Sequence, residues 1–331
     1  MSALQRAWLR RGPLACVLWP VSLVYRAGSA LHRRLHSSGW RPVERLPVPV
    51  VVVGNVIAGG AGKTPVVLAI LQHLRRRGIR AGVVSRGHGR RGTACREVHP
   101  QDDPAFTGDE PLLLRRNSGL PVFVAPLRAQ AGRALLAAHP RTQVIVSDDG
   151  LQHHALARDL EICVFDRRGI GNGWLLPAGP LREPWPRRVD LVLRDAATPG
   201  IEGHVLQRTL GPEAVRGDGA RRPLADLRAA PVVALAGIAT PDAFFEMLRG
   251  AGLTLAATYA LPDHHDYANL PAAIPPGATL VCTEKDAVKL WQLRPGAWAV
   301  PLQVDIPASF WQAFDRLLDA RLSSRHGSPP A

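Results

Sequence analysis

The chain has 331 residues, of which 46% are hydrophobic, enough to build the cores of two α/β domains of ordinary size. The formal net charge of +14 favours a polyanionic partner such as nucleic acid, an anionic membrane or a phosphorylated substrate. The four cysteines are far apart and form no C-x-x-C pair, which argues against structural zinc and a disulfide framework and favours a reducing cytoplasm.

The N-terminal segment carries a short apolar run, Pro13–Tyr25, with arginines on both sides. Pro20 interrupts the run, which is shorter than the roughly 20 apolar residues that a membrane span needs. Three interpretations stay open: a signal peptide, a buried helix of the first domain, or an interfacial helix whose arginines meet anionic lipid head groups. We predict an interfacial anchor helix over residues 1–35.

The next segment, residues 48–65, reads VPVVVVGNVIAGGAGKTP, a buried strand that leads into a glycine-rich turn and a helix. Such a turn cradles phosphate: backbone N–H groups converge on the anion, the lysine brings positive charge and the threonine hydroxyl suits Mg²⁺. Ile57 stands where the G-x-x-x-x-G-K-[ST] pattern needs its first glycine, so the loop is a variant, and a turn without a ligand is the alternative. The predicted nucleotide-binding residues are Gly59, Gly60, Ala61, Gly62, Lys63, Thr64 and Pro65. A nucleotide site also argues against export of the chain.

The apolar pattern after this loop alternates between helical and extended segments, which indicates a mostly parallel sheet. Predicted helices cover 66–77 and 129–138, and predicted strands cover 80–84, 122–125, 143–147, 161–165 and 190–193. A second set follows a polar stretch, with strands at 232–236, 279–282 and 299–303 and helices at 241–251 and 308–321.

The predicted fold is therefore α/β, with a P-loop-type, mostly parallel sheet domain, a second and smaller α/β domain, and an N-terminal membrane-associating helix. Its predicted divisions are the anchor at 1–35, the nucleotide- and substrate-binding domain at 36–195, a connector at 196–230, the smaller domain at 231–322 and a tail at 323–331.

Carboxylates follow the strand that ends near Ser147, as Asp148 and Asp149. The C-terminal edge of a parallel strand beside the P-loop strand is where nucleotide enzymes hold Mg²⁺, although an ordinary Asp-Gly turn is the alternative. Gln152 and His153 come directly after this turn and would lie in the same cleft.

Two further loops carry charge suited to phosphoryl transfer. The segment 85–90, SRGHGR, offers arginines that can fork onto phosphate oxygens, and a simple basic loop is the alternative. The segment 108–111, GDEP, offers a carboxylate pair. Within it, Asp109 is either a general base for an acceptor hydroxyl or a helix N-cap.

The C-terminal half contributes a His-rich patch, DHHDY at 263–267, and TEKD at 283–286. The patch could hold a metal or form an Asp–His dyad for proton transfer, but it has no distant partner ligands that would indicate zinc. TEKD is similar to the guanine-reading T-K-x-D motif, but its lysine comes one place late, so GTP is not expected. The proline-rich segment 175–184 reads as a structural loop or a lid.

Taken together, GNVIAGGAGKTP, SRGHGR, GDEP, DDGLQHH, GNGWLLPAGPLREP, DHHDY and TEKDAVK resemble, in order and spacing, the tetraacyldisaccharide 4'-kinase family of lipid A synthesis, over roughly residues 10–290. The resemblance implies transfer of the γ-phosphoryl group of ATP to the 4'-hydroxyl of a tetraacylated glucosamine disaccharide 1-phosphate, giving lipid IVA. It also implies a location at the cytoplasmic face of the bacterial inner membrane.

The resemblance assigns roles residue by residue. Lys63 would bind the phosphates, Asp109 would act as the catalytic base, and His264 would orient or tune it. The implied metal ligands are Thr64, Asp148, Asp149 and Glu183, and the implied substrate contacts are Ser85, Arg86, His88, Glu110, Gln152 and His153. His88 stands where the family pattern has tyrosine, which puts an aromatic stacking role there in doubt. ATP and Mg²⁺ are the expected cofactors.

The expected partners are the lipid substrate and an anionic membrane surface, and we expect a monomer that binds no nucleic acid. A regulatory or partitioning ATPase of the deviant P-loop group is the main alternative, but Ala58 occupies the place of that group's second lysine. A nucleic-acid-dependent NTPase is supported only by the net charge, since 5% aromatic residues give few platforms for base stacking.

Overall fold

The computed structural model describes residues 3–198, 200–263, 265, 267, 270, 274 and 277–326. Its α-helices are α1 (Ala3–Ala7), α2 (Pro13–Ser37), α3 (Lys63–Arg76), α4 (Pro104–Thr107), α5 (Asp109–Ser118), α6 (Arg128–Ala138), α7 (Pro241–Gly250), α8 (Glu284–Leu293) and α9 (Ala308–His326). Its strands are β1 (Val50–Gly54), β2 (Ala81–Ser85), β3 (Arg96–Glu97), β4 (Val122–Val124), β5 (Val144–Asp148), β6 (Leu160–Phe165), β7 (Leu191–Asp195), β8 (His204–Leu210), β9 (Glu213–Arg216), β10 (Arg221–Pro223), β11 (Val232–Ala236), β12 (Leu255–Ala260), β13 (Leu280–Thr283), β14 (Trp298–Val300) and β15 (Leu302–Asp305).

The larger sheet is built around the valine-rich strand β1, which pairs in parallel with β5 on one side and β6 on the other. The full strand order is β15-β8-β7-β6-β1-β5-β2-β4-β3. Every residue of β1 is buried, because apolar layers cover both faces of the sheet, as is usual for parallel strands. On one face α3, α5 and α9 contribute Ile70, Leu112 and Phe314, and on the other face α6 contributes Leu135.

The smaller sheet has the order β10-β9-β14-β13-β11-β12. Its central strands are parallel, and its faces are covered by Phe245 and Leu248 from α7 on one side and Leu290 from α8 on the other. The predicted fold class, a mostly parallel α/β domain with a second and smaller α/β domain, is therefore confirmed.

The two sheets are joined by a hinge ribbon, residues 204–216 and 298–305, in which two chain segments run side by side. β8 pairs with β15 in the larger sheet, and β9 pairs with β14 in the smaller one. The Gly211 N–H donates to the Pro301 carbonyl at 2.8 Å where the ribbon passes between the sheets. We call residues 3–210 and 302–326 the large lobe, and residues 211–301 the small lobe.

These lobes differ from the predicted divisions. The expected connector, 196–230, holds β8, β9 and β10, and the predicted strand 299–303 is divided at Pro301 between the two sheets. Proline has no N–H for a sheet ladder, which explains the break. The helix α9, expected in the smaller domain, packs in the core of the large lobe. It also extends into the predicted tail as far as His326.

A cleft of about 1120 Å³ lies between the lobes, and Pro65 near the start of α3 is among the residues that line it. Arg75 of α3 and Arg116 of α5 line it from the large lobe, and Trp291 of α8 lines it from the small lobe. The hinge ribbon forms part of its wall through Gln303. The lobes are linked by two strands, and they also pack against each other where Val288 of α8 is buried in the core of the large lobe.

The N-terminal segment predicted as one helix over residues 1–35 contains two helices, α1 and α2, and α2 continues through Pro20 and Arg26 to Ser37. Only Ala15 and Ser22 of this helix are buried, so the interpretation as a buried core helix is wrong. Within the described residues, α2 is the helix that is long and apolar enough to cross a membrane by length and composition. That criterion alone does not separate a span from an anchor that lies on the membrane surface.

Helix α2 rests on the segment 172–187 of the large lobe. The Ser22 hydroxyl donates to the Leu175 carbonyl at 2.9 Å and accepts from the Ala178 N–H at 3.0 Å. The Tyr25 hydroxyl donates to the Arg182 carbonyl at 3.1 Å. The proline-rich segment therefore fixes the direction in which the helix leaves the body of the protein.

Candidate active site

The glycine-rich turn lies between β1 and α3, at the C-terminal edge of the larger sheet. Gly59 and Gly62 have positive φ angles of 86° and 68°, a region that residues with a Cβ rarely occupy. Helix α3 begins at Lys63, directly after Gly62, so its unpaired N–H groups and positive dipole end face the turn. This backbone suits a phosphate group, as the sequence predicts.

The side chain of Lys63 is buried inside the turn and has fixed polar partners there. Its side chain is 9% exposed, its Nζ donates to Asn55 Oδ1 at 3.2 Å, and it lies 3.4 Å from Asp149 Oδ1. Asn55 in turn donates to the Gly59 carbonyl at 3.4 Å. The lysine is therefore oriented by one neutral and one charged partner.

Two arginines that sequence analysis missed bind the carbonyl groups of the turn. Arg168 donates to the Gly60 carbonyl at 2.9 Å, and Arg208 donates to the Ala61 carbonyl at 3.0 Å. Each guanidinium is also paired with a carboxylate, Arg168 with Asp166 at 2.7 Å and Arg208 with Asp195 at 3.0 Å. With its carbonyl groups held from outside, the turn can direct its N–H groups inward.

The two carboxylates after β5 have opposite surroundings. Asp148 is 1% exposed, and burial, followed by the negative charges of Glu110 and Asp149, raises its pKa to about 7. Burial also acts to raise the pKa of Asp149, but Lys63 and Arg182 outweigh it and lower that pKa. Asp149 is therefore a fixed anion, whereas Asp148 needs a cation nearby to stay charged at neutral pH.

Arg128 and Arg182 hold the turn that contains these carboxylates. Arg182 donates to both carboxylate oxygens of Asp149, at 3.2 and 3.1 Å. Arg128 donates to the Asp149 carbonyl at 2.6 Å. Gln152 accepts from Arg182 at 3.3 Å and donates to the Asn55 carbonyl at 3.0 Å, which links this turn to the P-loop strand.

The acidic pair Asp109 and Glu110 begins α5. Asp109 is 6% exposed and lies 2.7 Å from Lys289 of the small lobe, while Glu110 lies 3.3 Å from Lys285. Gly108, with a φ of 90°, precedes the pair. A Cβ on Gly108 would lie 3.1 Å from the Gly87 Cα, so glycine allows the two loops to approach closely.

Other predicted site residues lie near the P-loop turn, the Asp148–Asp149 turn and the start of α5. The Ser85 hydroxyl donates to Asp148 at 3.5 Å, and His153 accepts from the Arg128 N–H at 3.3 Å. Burial, followed by Arg128, lowers the pKa of His153 to about 4, so this ring is neutral at pH 7. Arg86 and His88 are exposed on the loop that follows β2.

Glu183 and His264 are the last two of the predicted site residues. Glu183, a predicted metal ligand, is 4% exposed and pairs with Arg187 at 3.1 Å, while its Oε1 has no hydrogen-bond partner among the described residues. No cluster of three or more His, Cys, Asp or Glu suited to a metal occurs in the described part of the chain. His264 lies outside the described residues.

Comparison with known proteins identifies the family. A model of the tetraacyldisaccharide-1-P 4'-kinase family matches residues 14–321. The chain belongs to this family. The tetraacyldisaccharide 4'-kinases of Acidovorax sp. (strain JS42) and Delftia acidovorans are 56% and 53% identical to it, over 98% and 96% of this chain and 96% and 95% of their own.

A solved relative of the kinase shows the same fold. The crystal structure of the "apo" form of LpxK from Aquifex aeolicus in complex with ATP matches with a TM-score of 0.80 and 27% identity, over 93% of this chain and 99% of that one. The prediction that this chain is a 4'-kinase of lipid A biosynthesis is thereby confirmed.

Proposed function

We propose that the kinase transfers the γ-phosphoryl group of ATP to the 4'-hydroxyl of tetraacyldisaccharide 1-phosphate, with Asp109 as the general base. The observation that carries this proposal is the convergence of three groups at one sheet edge. Lys63 lies 3.4 Å from Asp149, and the charge of Glu110, next to Asp109, contributes to the raised pKa of Asp148. The P-loop, the carboxylate turn and the start of α5 therefore surround one site.

The carboxylate turn fits a divalent cation. Asp148 Oδ1 is buried and has no hydrogen-bond partner among the described residues, which is costly unless another group satisfies it. Asp148 and the hydroxyl of Thr64 would hold Mg²⁺, while Asp149 and Glu183 stay predicted as further ligands. A Mg²⁺ ion held by these residues would supply positive charge to offset that of the ATP phosphate groups.

The protein's own groups account for the transfer as follows. Lys63 and the N–H groups of the turn stabilise negative charge on the transferred phosphoryl group, and positioning does most of the catalytic work. Asp109 accepts the proton of the sugar hydroxyl as that oxygen attacks the γ-phosphorus, and the bond from this phosphorus to the β,γ-bridging oxygen breaks so that ADP leaves. Closure of the small lobe would exclude water and limit hydrolysis of ATP. His264 keeps its predicted role of orienting the base.

Helix α2 supports a location at the membrane surface. Val17 and Val24 are 74% and 73% exposed, and burying such side chains in lipid is favourable. Arginines on both sides of the apolar run suit anionic head groups. We place the kinase as a monomer at the cytoplasmic face of the bacterial inner membrane, where its lipid substrate and ATP meet.

The direct test measures transfer of radiolabel from γ-labelled ATP to tetraacyldisaccharide 1-phosphate in detergent micelles. Wild type should label the lipid, and Asp109→Asn should label it at least about a hundredfold more slowly, because the base is lost while the shape is kept. Lys63→Ala should also lose transfer.

Circular dichroism and thermal unfolding of each variant serve as controls for the fold. Near-normal turnover by a folded Asp109→Asn would exclude the base role. Hydrolysis of ATP by wild type without labelled lipid would instead favour the regulatory ATPase interpretation.

A further inference from the structure

The small lobe reaches the proposed base through one face of α8. Thr283 caps this helix by accepting from the Asp286 N–H at 3.2 Å. Lys285 and Lys289 then follow at positions i and i+4, which lie on the same side of a helix. Both are mostly buried, with side chains 17% and 20% exposed. Their charged ends meet the first turn of α5 in the large lobe.

The two contacts are not equivalent. Lys289 lies 2.7 Å from Asp109, which is the length of a strong charge-assisted hydrogen bond. Lys285 lies 3.3 Å from Glu110 and also donates to Asp263 at 3.1 Å. Lys289 donates in addition to the His265 carbonyl at 3.3 Å, so its ammonium is oriented from its own lobe.

We propose that Lys289 is a positioning residue for the general base, holding the Asp109 carboxylate ionised and oriented only while the small lobe is closed on the large lobe. The proposal rests on the base role of Asp109. The two partners belong to different lobes, which the two strands of the hinge ribbon link and which also meet where Val288 of α8 packs in the core of the large lobe. Opening of the lobes would therefore separate the ammonium from the carboxylate, and catalytic competence would follow closure.

Other charges around Asp109 must be included in its pH behaviour. Glu110, next to Asp109 on α5, is a negative neighbour that favours protonation of Asp109. Lys285 on α8, which lies 3.3 Å from Glu110, opposes it, as does the positive end of α5. His88 on the loop after β2, and Asp263 and His265 after β12, complete the set. Lys289 is distinguished by its 2.7 Å contact.

An ordinary salt bridge between the lobes would give a different result from a positioning contact. A structural contact would alter stability, and loss of either lysine would have a similar effect. Loss of a cation within about 4 Å of a carboxylate raises the carboxylate pKa by about one unit or more. A base that must be ionised would then become active only at a higher pH, so the acid limb of the plot of rate against pH would move to higher pH.

The experiment compares Lys289→Met, Lys289→Arg and Lys285→Met in the full-length kinase. Lipid phosphorylation is measured in micelles from pH 5.5 to 9 at saturating ATP. Lys289→Met should lower kcat about tenfold at pH 7, leave the KM for ATP within about threefold, and move the acid limb up by about one pH unit. Lys289→Arg should keep the acid limb in its wild-type position.

Lys285→Met is the matched control, since it removes a cation from the same helix face, but that cation contacts Glu110 and not the base Asp109. It should move the acid limb much less than Lys289→Met does, because Glu110 lies beside the base and is not the base itself. An unmoved acid limb in Lys289→Met, or the same shift in both methionine variants, would overturn the proposal. Retained turnover in Asp109→Asn would overturn the base role and this inference with it, whereas inactive wild type would contradict the proposed function as a whole.

Discussion

Residues whose chemistry depends on local sequence were predictable, and residues whose role depends on distant contacts were not. Lys63 follows the glycines of its own turn, and Asp148 ends a strand of the sheet. Their residue types and the neighbouring sequence were therefore enough to predict where they lie in the fold. Arg168 and Arg208 reach the turn from 108 and 147 residues away. In a chain with 41 lysines and arginines, no local pattern distinguishes these two. Lys289 was missed for the same reason.

Arg208 offers a test of how the P-loop turn is held. We predict that Arg208→Met raises the KM for ATP about tenfold, because loss of a charged donor to the Ala61 carbonyl costs about 1.5 kcal/mol and leaves the turn less ordered before ATP binds. Lipid phosphorylation at varied ATP concentration measures the effect.

Arg216→Met is the control for this substitution. Arg216 lies on the same hinge ribbon but pairs with Asp218 at the surface, so its loss should leave the KM for ATP unchanged. Equal changes in both variants would show that the effect comes from the ribbon and not from the turn.

At the scale of elements, the existence of most helices and strands was predicted, while their ends and some of their partners were not. Pro20 interrupts the N-terminal apolar run, and an interior proline costs a helix about 3 kcal/mol. The helix continues because Ser22 and Tyr25 bind the segment 172–187, a contact that no helix pattern encodes. TEKD was compared with a base-reading motif and contributed to the family resemblance, but the helix α8 that begins at its second residue was not predicted.

The exposed face of α2 predicts membrane binding that depends on that helix. Val17→Asp combined with Val24→Asp should abolish co-sedimentation with vesicles that contain anionic lipid, because both side chains would place charge in the acyl layer. The measurement is the fraction of protein that sediments with the vesicles, compared between the double variant and wild type.

Leu293→Asp is the matched control for this pair of changes. Leu293 is also exposed, at 46%, but it lies on the small lobe, so this variant should sediment like wild type. Normal binding by the α2 variant would contradict the role of the helix.

For the whole molecule, the division into a nucleotide domain and a smaller domain was predicted, but the path of the chain between them was not. Contiguous stretches were assigned to single domains. The chain instead leaves the large lobe at β8, builds the small lobe, and returns through β15 and α9. The return is not visible in sequence, because the amphipathic pattern of α9 does not say which sheet it covers. His73 and Arg77 meet Asp315 of α9, both at 2.8 Å.

This path predicts that the C-terminal helix stabilises the distant P-loop lobe. Phe314→Ala should destabilise the large lobe by about 3 to 5 kcal/mol, because Phe314 is fully buried and its truncation leaves a cavity. Hydrogen exchange in peptides from β1 and α3, followed by mass spectrometry, should show faster exchange.

Phe245→Ala makes the same truncation in the small lobe, where Phe245 is 3% exposed. It should speed exchange in α7 and β11 while leaving β1 unchanged. Uniform loss of protection in both variants would mean that the lobes unfold as one unit.

The return of the chain through α9 also sets an order for folding during synthesis. When the P-loop emerges from the ribosome, the helix that covers Ile70 and its neighbours is still more than 200 residues from being translated. The small lobe, which is contiguous in sequence, is complete before that helix appears. The lobe made first therefore finishes folding last, and until α9 arrives the nascent chain carries an uncovered apolar face together with its exposed, apolar N-terminal helix.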